Sequence, residues 1–79
     1  MSWSIVYTAA ALQNKQQLTE QGFQTELEQT LHDVMANPNE GTELVGDLAG
    51  AYSQTIIAQH CVVYQILHEQ HVVKVICIV

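Results

Sequence analysis

The chain has 79 residues, 48% of them hydrophobic and 13% charged, which describes one globular domain spanning residues 1–79 and excludes a disordered chain. Eight acidic residues face two lysines, Lys15 and Lys74, with no arginine and a net charge of −6. Nucleic-acid affinity rests on Lys and Arg neutralising phosphates, so ready binding of RNA or DNA is disfavoured and a basic partner is expected instead.

Residues 3–7 alternate and are rich in β-formers, which predicts a first strand. Ala9-Ala10-Ala11-Leu12 opens a helix with Thr8 as its N-cap, and Gly22 ends it. A second helix is predicted over residues 23–36. There Phe23, Leu27, Leu31, Val34 and Met35 form one apolar stripe, and Glu26 and Glu28 suit the positive end of the helix dipole. Asn37-Pro38 stops it and a polar loop follows to Glu43. Residues 44–50 read as an irregular apolar stretch with a turn at Gly46-Asp47.

Three strands are predicted over residues 51–57, 61–67 and 71–79, joined by short turns at residues 58–60 and 68–70 and therefore antiparallel. The order is β-α-α-β-β-β. The predicted class is α+β, with a helical hairpin packed on a mostly antiparallel four-stranded sheet. The last strand is apolar on both faces, with Val72, Ile76 and Ile78 on one and Val73, Val75 and Val79 on the other. Such a strand is interior. The helices cover one face of the sheet, so the other face invites a second chain. A turn centred on Glu69 would set Cys61 opposite Cys77; both are expected to be reduced thiols. No run approaches the roughly 20 apolar residues of a membrane span, and residues 1–7 lack the basic start of a signal peptide, so a cytoplasmic location without membrane partners is expected.

Three segments occur in a telling order: Asn37-Pro38-Asn39-Glu40-Gly41, Leu48-Ala49-Gly50-Ala51-Tyr52-Ser53 and Gln59-His60-Cys61-Val62-Val63-Tyr64. They resemble the RelE/ParE superfamily of bacterial toxins, and within it the YoeB-like ribosome-dependent mRNA interferases. Those proteins tend to carry a P-x-E-G loop, a strand ending in S-R-R-I, and an E-H-R-L-V-Y hairpin. The predicted element order agrees with that family's fold. The resemblance implies a toxin held inactive by an antitoxin protein. In its enzymatic members, the mRNA is cut by attack of the neighbouring 2′-hydroxyl on the phosphodiester. That chemistry needs a general base, a cation for the phosphate and an acid for the leaving oxygen.

On that resemblance Glu40 matches the general-base glutamate and His60 the hairpin histidine, and these are the two candidate catalytic residues. The departures are equally specific. Cys61 replaces the arginine after the histidine, and Gln54-Thr55 replaces the arginine pair after Ser53. The sequence ends at Val79, where YoeB-like members continue into a basic residue and a terminal His-Tyr pair.

The plainer reading of Glu40 is a solvated loop carboxylate, and of His60 a turn residue. Tyr52 and Tyr64 could stack on bases, although strand aromatics are more often core or interface. Four histidines and two cysteines suggest zinc, yet the spacing shows no C-x-x-C or tight His pair, so neither metal nor cofactor is expected. The acids of the helices are a solvated face or a dock for a basic antitoxin segment. The favoured reading is a toxin-family component of a type II toxin–antitoxin module that binds its antitoxin with weak or no ribonuclease activity. The alternatives are an active mRNA interferase, a ParE-like gyrase inhibitor, and a degenerate interaction domain that self-associates as a homodimer.

Overall fold

A computed structural model of the chain describes residues 3–57 and 60–79. The elements are β1 (Ser4–Tyr7), α1 (Ala9–Glu20), α2 (Gln24–Ala36), β2 (Thr42–Glu43), β3 (Ala51–Thr55), β4 (Cys61–Leu67) and β5 (Val72–Ile78). Single 3₁₀ turns lie at Pro38–Glu40, Gly46–Leu48 and His68–Gln70. The sheet has five strands in the order β1-β5-β4-β3-β2 rather than the expected four. The added strand is the two-residue β2, whose Thr42 and Glu43 pair with Ser53 and Tyr52. Two polar residues carry no alternating pattern, so the sequence gives β2 no signal.

The helices form where propensity and capping agree. The Thr8 hydroxyl accepts the Ala11 N–H at 3.1 Å and caps α1 as expected. At the other end Gly22 takes φ +91°, and the Gly22 and Phe23 N–H groups reach the Thr19 and Leu18 carbonyls. That is the two-bond left-handed closure which glycine adopts without steric cost. Leu27, Leu31 and Val34 of α2 are buried against Val62, Tyr64 and Ile66 of β4 and Val73, Val75 and Ile78 of β5. Leu27 is wholly inaccessible, and its removal to alanine would cost about 2–5 kcal/mol.

β1 runs parallel to β5, while β2–β3, β3–β4 and β4–β5 are antiparallel. β5 is thus interior, as its apolar sequence requires, and β4 is the middle strand. The expected face assignment of β5 does not hold. Val63 pairs with Cys77 but Tyr64 pairs with Val75, so Ile76 is an extra residue in a β-bulge. The bulge reverses the alternation beyond it. Val73, Val75 and Ile78 therefore share the helix-covered face.

The cysteine register differs from the expected one by two residues, one from the turn, where Leu67 pairs with Val72 and not with His71, and one from the bulge. Cys61 exchanges both backbone hydrogen bonds with Val79, and Cys77 lies opposite Val63, so the two thiols are diagonal neighbours rather than opposed. Diagonal positions lie about 7–8 Å apart, beyond the Cα span of a disulfide. Both cysteines are free.

β3 ends at Thr55, two residues earlier than expected: the Ile56 N–H still reaches the His60 carbonyl at 2.8 Å, but the His60 N–H bonds the Ile57 carbonyl and not that of Ile56. The turn expected over residues 58–60 lies outside the described residues except for His60. At the next hairpin His71 belongs to the turn and not to β5. It takes the left-handed conformation at φ 58°, ψ 42°, with its ring stacked on Trp3 at 4.1 Å between centroids.

Candidate functional site

The loop carrying Glu40 is built around Tyr64 of β4. Pro38 opens the 3₁₀ turn, where its missing N–H costs nothing, and its carbonyl accepts the Tyr64 hydroxyl at 2.6 Å. Tyr64 is fully buried at the heart of the core. Its aromatic body packs against the helices, and the loop satisfies its polar tip. Gly41 follows with φ −68°, which any residue could adopt. Glycine is needed there for space, since a Cβ would land on the Tyr64 hydroxyl oxygen and 3.0 Å from the Ser53 carbonyl. Burial pushes the Tyr64 phenol above its ordinary pKa; the Gly41 backbone group facing the oxygen pulls it down, and Tyr52 adds to the rise.

Proline and glycine of the P-x-E-G pattern are thus accounted for by one buried phenol. Glu40 points away into solvent, and its carboxylate accepts the Asn37 side-chain N–H at 2.9 Å. The Glu40 backbone N–H also reaches the Asn37 carbonyl, at 3.2 Å. Asn37 is therefore a loop-holding residue that sequence reasoning took only as part of a helix stop. An Asn three residues before an acid at a proline turn was the available signal.

His60 closes the β3–β4 connection. Its N–H donates to the Ile57 carbonyl at 3.0 Å, and its half-buried ring packs on Phe23 at 5.6 Å, tilted by 50°. Phe23 is the residue that enters α2, so His60 sits where the helical hairpin turns. The Glu40 loop instead abuts Tyr64, three residues along β4 from its start, or about 10 Å at the rise of a strand. The two candidate residues have different partners, and no hydrogen bond joins them among the described residues.

Tyr52 stacks on the Tyr64 ring at 5.9 Å with 16° between planes. Tyr64 has no accessible face to offer a base, so the core reading of that tyrosine holds. The lysines lie elsewhere. Lys15 places its Nζ 4.8 Å from the Tyr7 ring centroid, and Lys74 pairs across β5 with Val6 and Gln65. Neither belongs to the Glu40 loop. A phosphate bound beside Glu40 would lack the preorganised charge whose loss typically raises a barrier by about 2.7–4 kcal/mol. Among the described residues no three His, Cys, Asp or Glu side chains come together as a metal site, and no helix is long and apolar enough to cross a membrane.

The architecture defines an α+β protein with two helices on one face of a five-stranded, mostly antiparallel sheet. Neither a protein-family model nor a curated protein sequence matches the chain. Solved structures do. A YoeB/ParE toxin from Agrobacterium tumefaciens superposes with a TM-score of 0.84 at 21% identity, covering 95% of this chain and 94% of that one. The toxin–antitoxin complex RelBE2 from Mycobacterium tuberculosis gives 0.81 at 20% identity, covering 99% and 96%. The YoeB dimer from Staphylococcus aureus gives 0.76 at 18% identity, covering 95% and 92%. The chain has the fold of the RelE/ParE toxins, YoeB-like members included.

Proposed function

We propose that this chain is the toxin-fold component of a type II toxin–antitoxin module and that its main activity is to bind a cognate antitoxin in the cytoplasm. The reading rests on one conjunction. The fold extends over nearly the whole of chains known as toxins or from toxin–antitoxin complexes, while the sequence contains no arginine and carries a net charge of −6. A domain of that charge repels ribosomal RNA and attracts a basic protein segment. Any remaining ribonuclease activity would fall to Glu40 as base, with His60 as acid, base or binding group, and would be weak without a cation.

Co-expression with the product of the adjacent reading frame tests the proposal. A complex that survives purification is expected, with little growth arrest when the chain is induced alone. A stable monomer that ignores its neighbour would count against the reading. Growth arrest with cleavage of translated mRNA would favour the active interferase instead, and inhibition of supercoiling the ParE-like alternative.

A further inference from the structure

The sheet has two edges of different character. At one edge β2 is only two residues long and carries Glu43, two of the usual devices against edge-to-edge pairing. The other edge is β1, with four residues, no charge and no proline. The Ser4 N–H donates to the His71 carbonyl and the Thr8 N–H to the Val75 carbonyl, so the even residues of β1 direct their backbone groups to β5. By the alternation of a strand, Ile5 and Tyr7 turn their N–H and C=O groups outward.

Side chains and charge mark the same edge. Val6 is in register with Lys74, on the sheet face away from the helices, and is 45% exposed. Lys15 over Tyr7 identifies the flank of α1 that leans over β1. Leu12, three residues earlier on that flank, is 53% exposed. Two of the four large exposed apolar side chains among the described residues therefore border this edge. No acid lies on β1 itself; Glu20 ends α1 and Glu69 lies in the turn before β5, while both lysines, on α1 and β5, lie beside β1. Two copies carrying −6 each repel one another least along the edge that both lysines flank.

We propose that β1 pairs with β1 of a second copy of this chain, antiparallel across a two-fold axis beside Val6, joining the two sheets into one of ten strands. Ile5 then lies opposite the partner's Tyr7 and exchanges both backbone hydrogen bonds with it, and the symmetric pair doubles them. Every outward group of Ile5 and Tyr7 is satisfied. Val6 meets the partner's Val6 as a non-hydrogen-bonded pair, whose Cα atoms lie about 4.5 Å apart. The contact is self-complementary, as a two-fold interface must be. It is independent of antitoxin binding, for which the acidic remainder of the surface stays open.

Sedimentation equilibrium and thiol cross-linking test it together. The wild-type chain is expected to be a concentration-dependent dimer, and Val6→Lys, still folded by circular dichroism, to associate at least about tenfold more weakly, a change of about 1.4 kcal/mol. Val6→Cys is expected to oxidise to a covalent dimer, because about 4.5 Å between Cα atoms lies within disulfide range. Val45→Cys, at an apolar site 86% exposed, should not exceed the wild-type background from Cys61 and Cys77. A wild-type monomer throughout, or equal cross-linking by the two cysteine variants, would overturn the proposal. So would amide protection of Ile5 and Tyr7 that arises only with a different protein, which would assign the edge to that partner's strand.

Discussion

The hydroxyl of Thr8 donates to the carbonyl of Ile76, 68 residues away, at 2.6 Å, and the same oxygen caps α1 by accepting the Ala11 N–H. Ile76 is the bulged residue of β5, so one threonine serves both the helix start and the irregularity in the sheet. Asn14 completes the arrangement by accepting the Ile78 N–H at 3.1 Å. Thr8→Val keeps the shape and removes both hydroxyl bonds. It should cost about 2 kcal/mol in urea unfolding, from a lost cap and an unpartnered carbonyl. Thr8→Ser should stay within about 0.5 kcal/mol of wild type, since hydroxyl-bearing caps rank closely.

Gly41 and Tyr64 should be energetically coupled. Gly41→Ala introduces a methyl onto the Tyr64 hydroxyl and should destabilise by about 1–3 kcal/mol, the usual cost of overpacking. Tyr64→Phe removes that oxygen at the expense of its bond to Pro38, about 1 kcal/mol. In the double variant the alanine should cost clearly less than it does alone. A coupling energy near zero in the four-way cycle would show that the loop moves aside instead.

Stability at alkaline pH should carry the signature of Tyr64. Its folded-state pKa lies above the ordinary value of 10.0, so the folded protein holds the proton more tightly than the unfolded chain. That contribution is complete below about pH 10 and is lost as pH rises through the higher folded value. Urea midpoints measured from pH 9 upward should fall more steeply for wild type than for Tyr64→Phe. Equal slopes would place the alkaline loss elsewhere.

Glu40→Ala and His60→Ala separate weak catalysis from none. If the chain acts only through protein contacts, neither substitution should alter growth on induction or recovery of the antitoxin complex. A growth defect in wild type that either substitution relieves would assign that residue to mRNA cleavage. His60→Ala should additionally lower thermal stability slightly, because it removes a ring packed on Phe23.

Much of the fold was legible because its signals are local. The apolar stripe of α2, the Thr8 cap, Gly22 and the short turns that bound residues 61–67 each act within a few residues, and each element formed as expected. What escaped depends on distant residues. Nothing near Ile76 announces a bulge; its carbonyl is accommodated because Thr8 awaits it across the molecule, and with that bulge went the faces of β5 and, together with the turn that takes in His71, the cysteine register. β2 exists because Ser53 and Tyr52 offer an edge to two residues without strand character of their own. The candidate site was legible as a motif and opaque as geometry. The spacing of Pro38, Glu40 and Gly41 is visible in one dimension, but the phenol that explains two of the three stands 23 residues beyond Gly41.

The pairing of β1 with β5 has a temporal consequence. Ser4 through Tyr7 are synthesised before Val72 through Val75, the residues with which they pair in the sheet. Until those residues are made the first strand waits without its mate, and the α1 end that Thr8 and Asn14 fasten to Ile76 and Ile78 waits with it. Such long-range closure is slow and leaves apolar segments open to other chains. A protein made alongside this one could therefore capture it before the native surface exists.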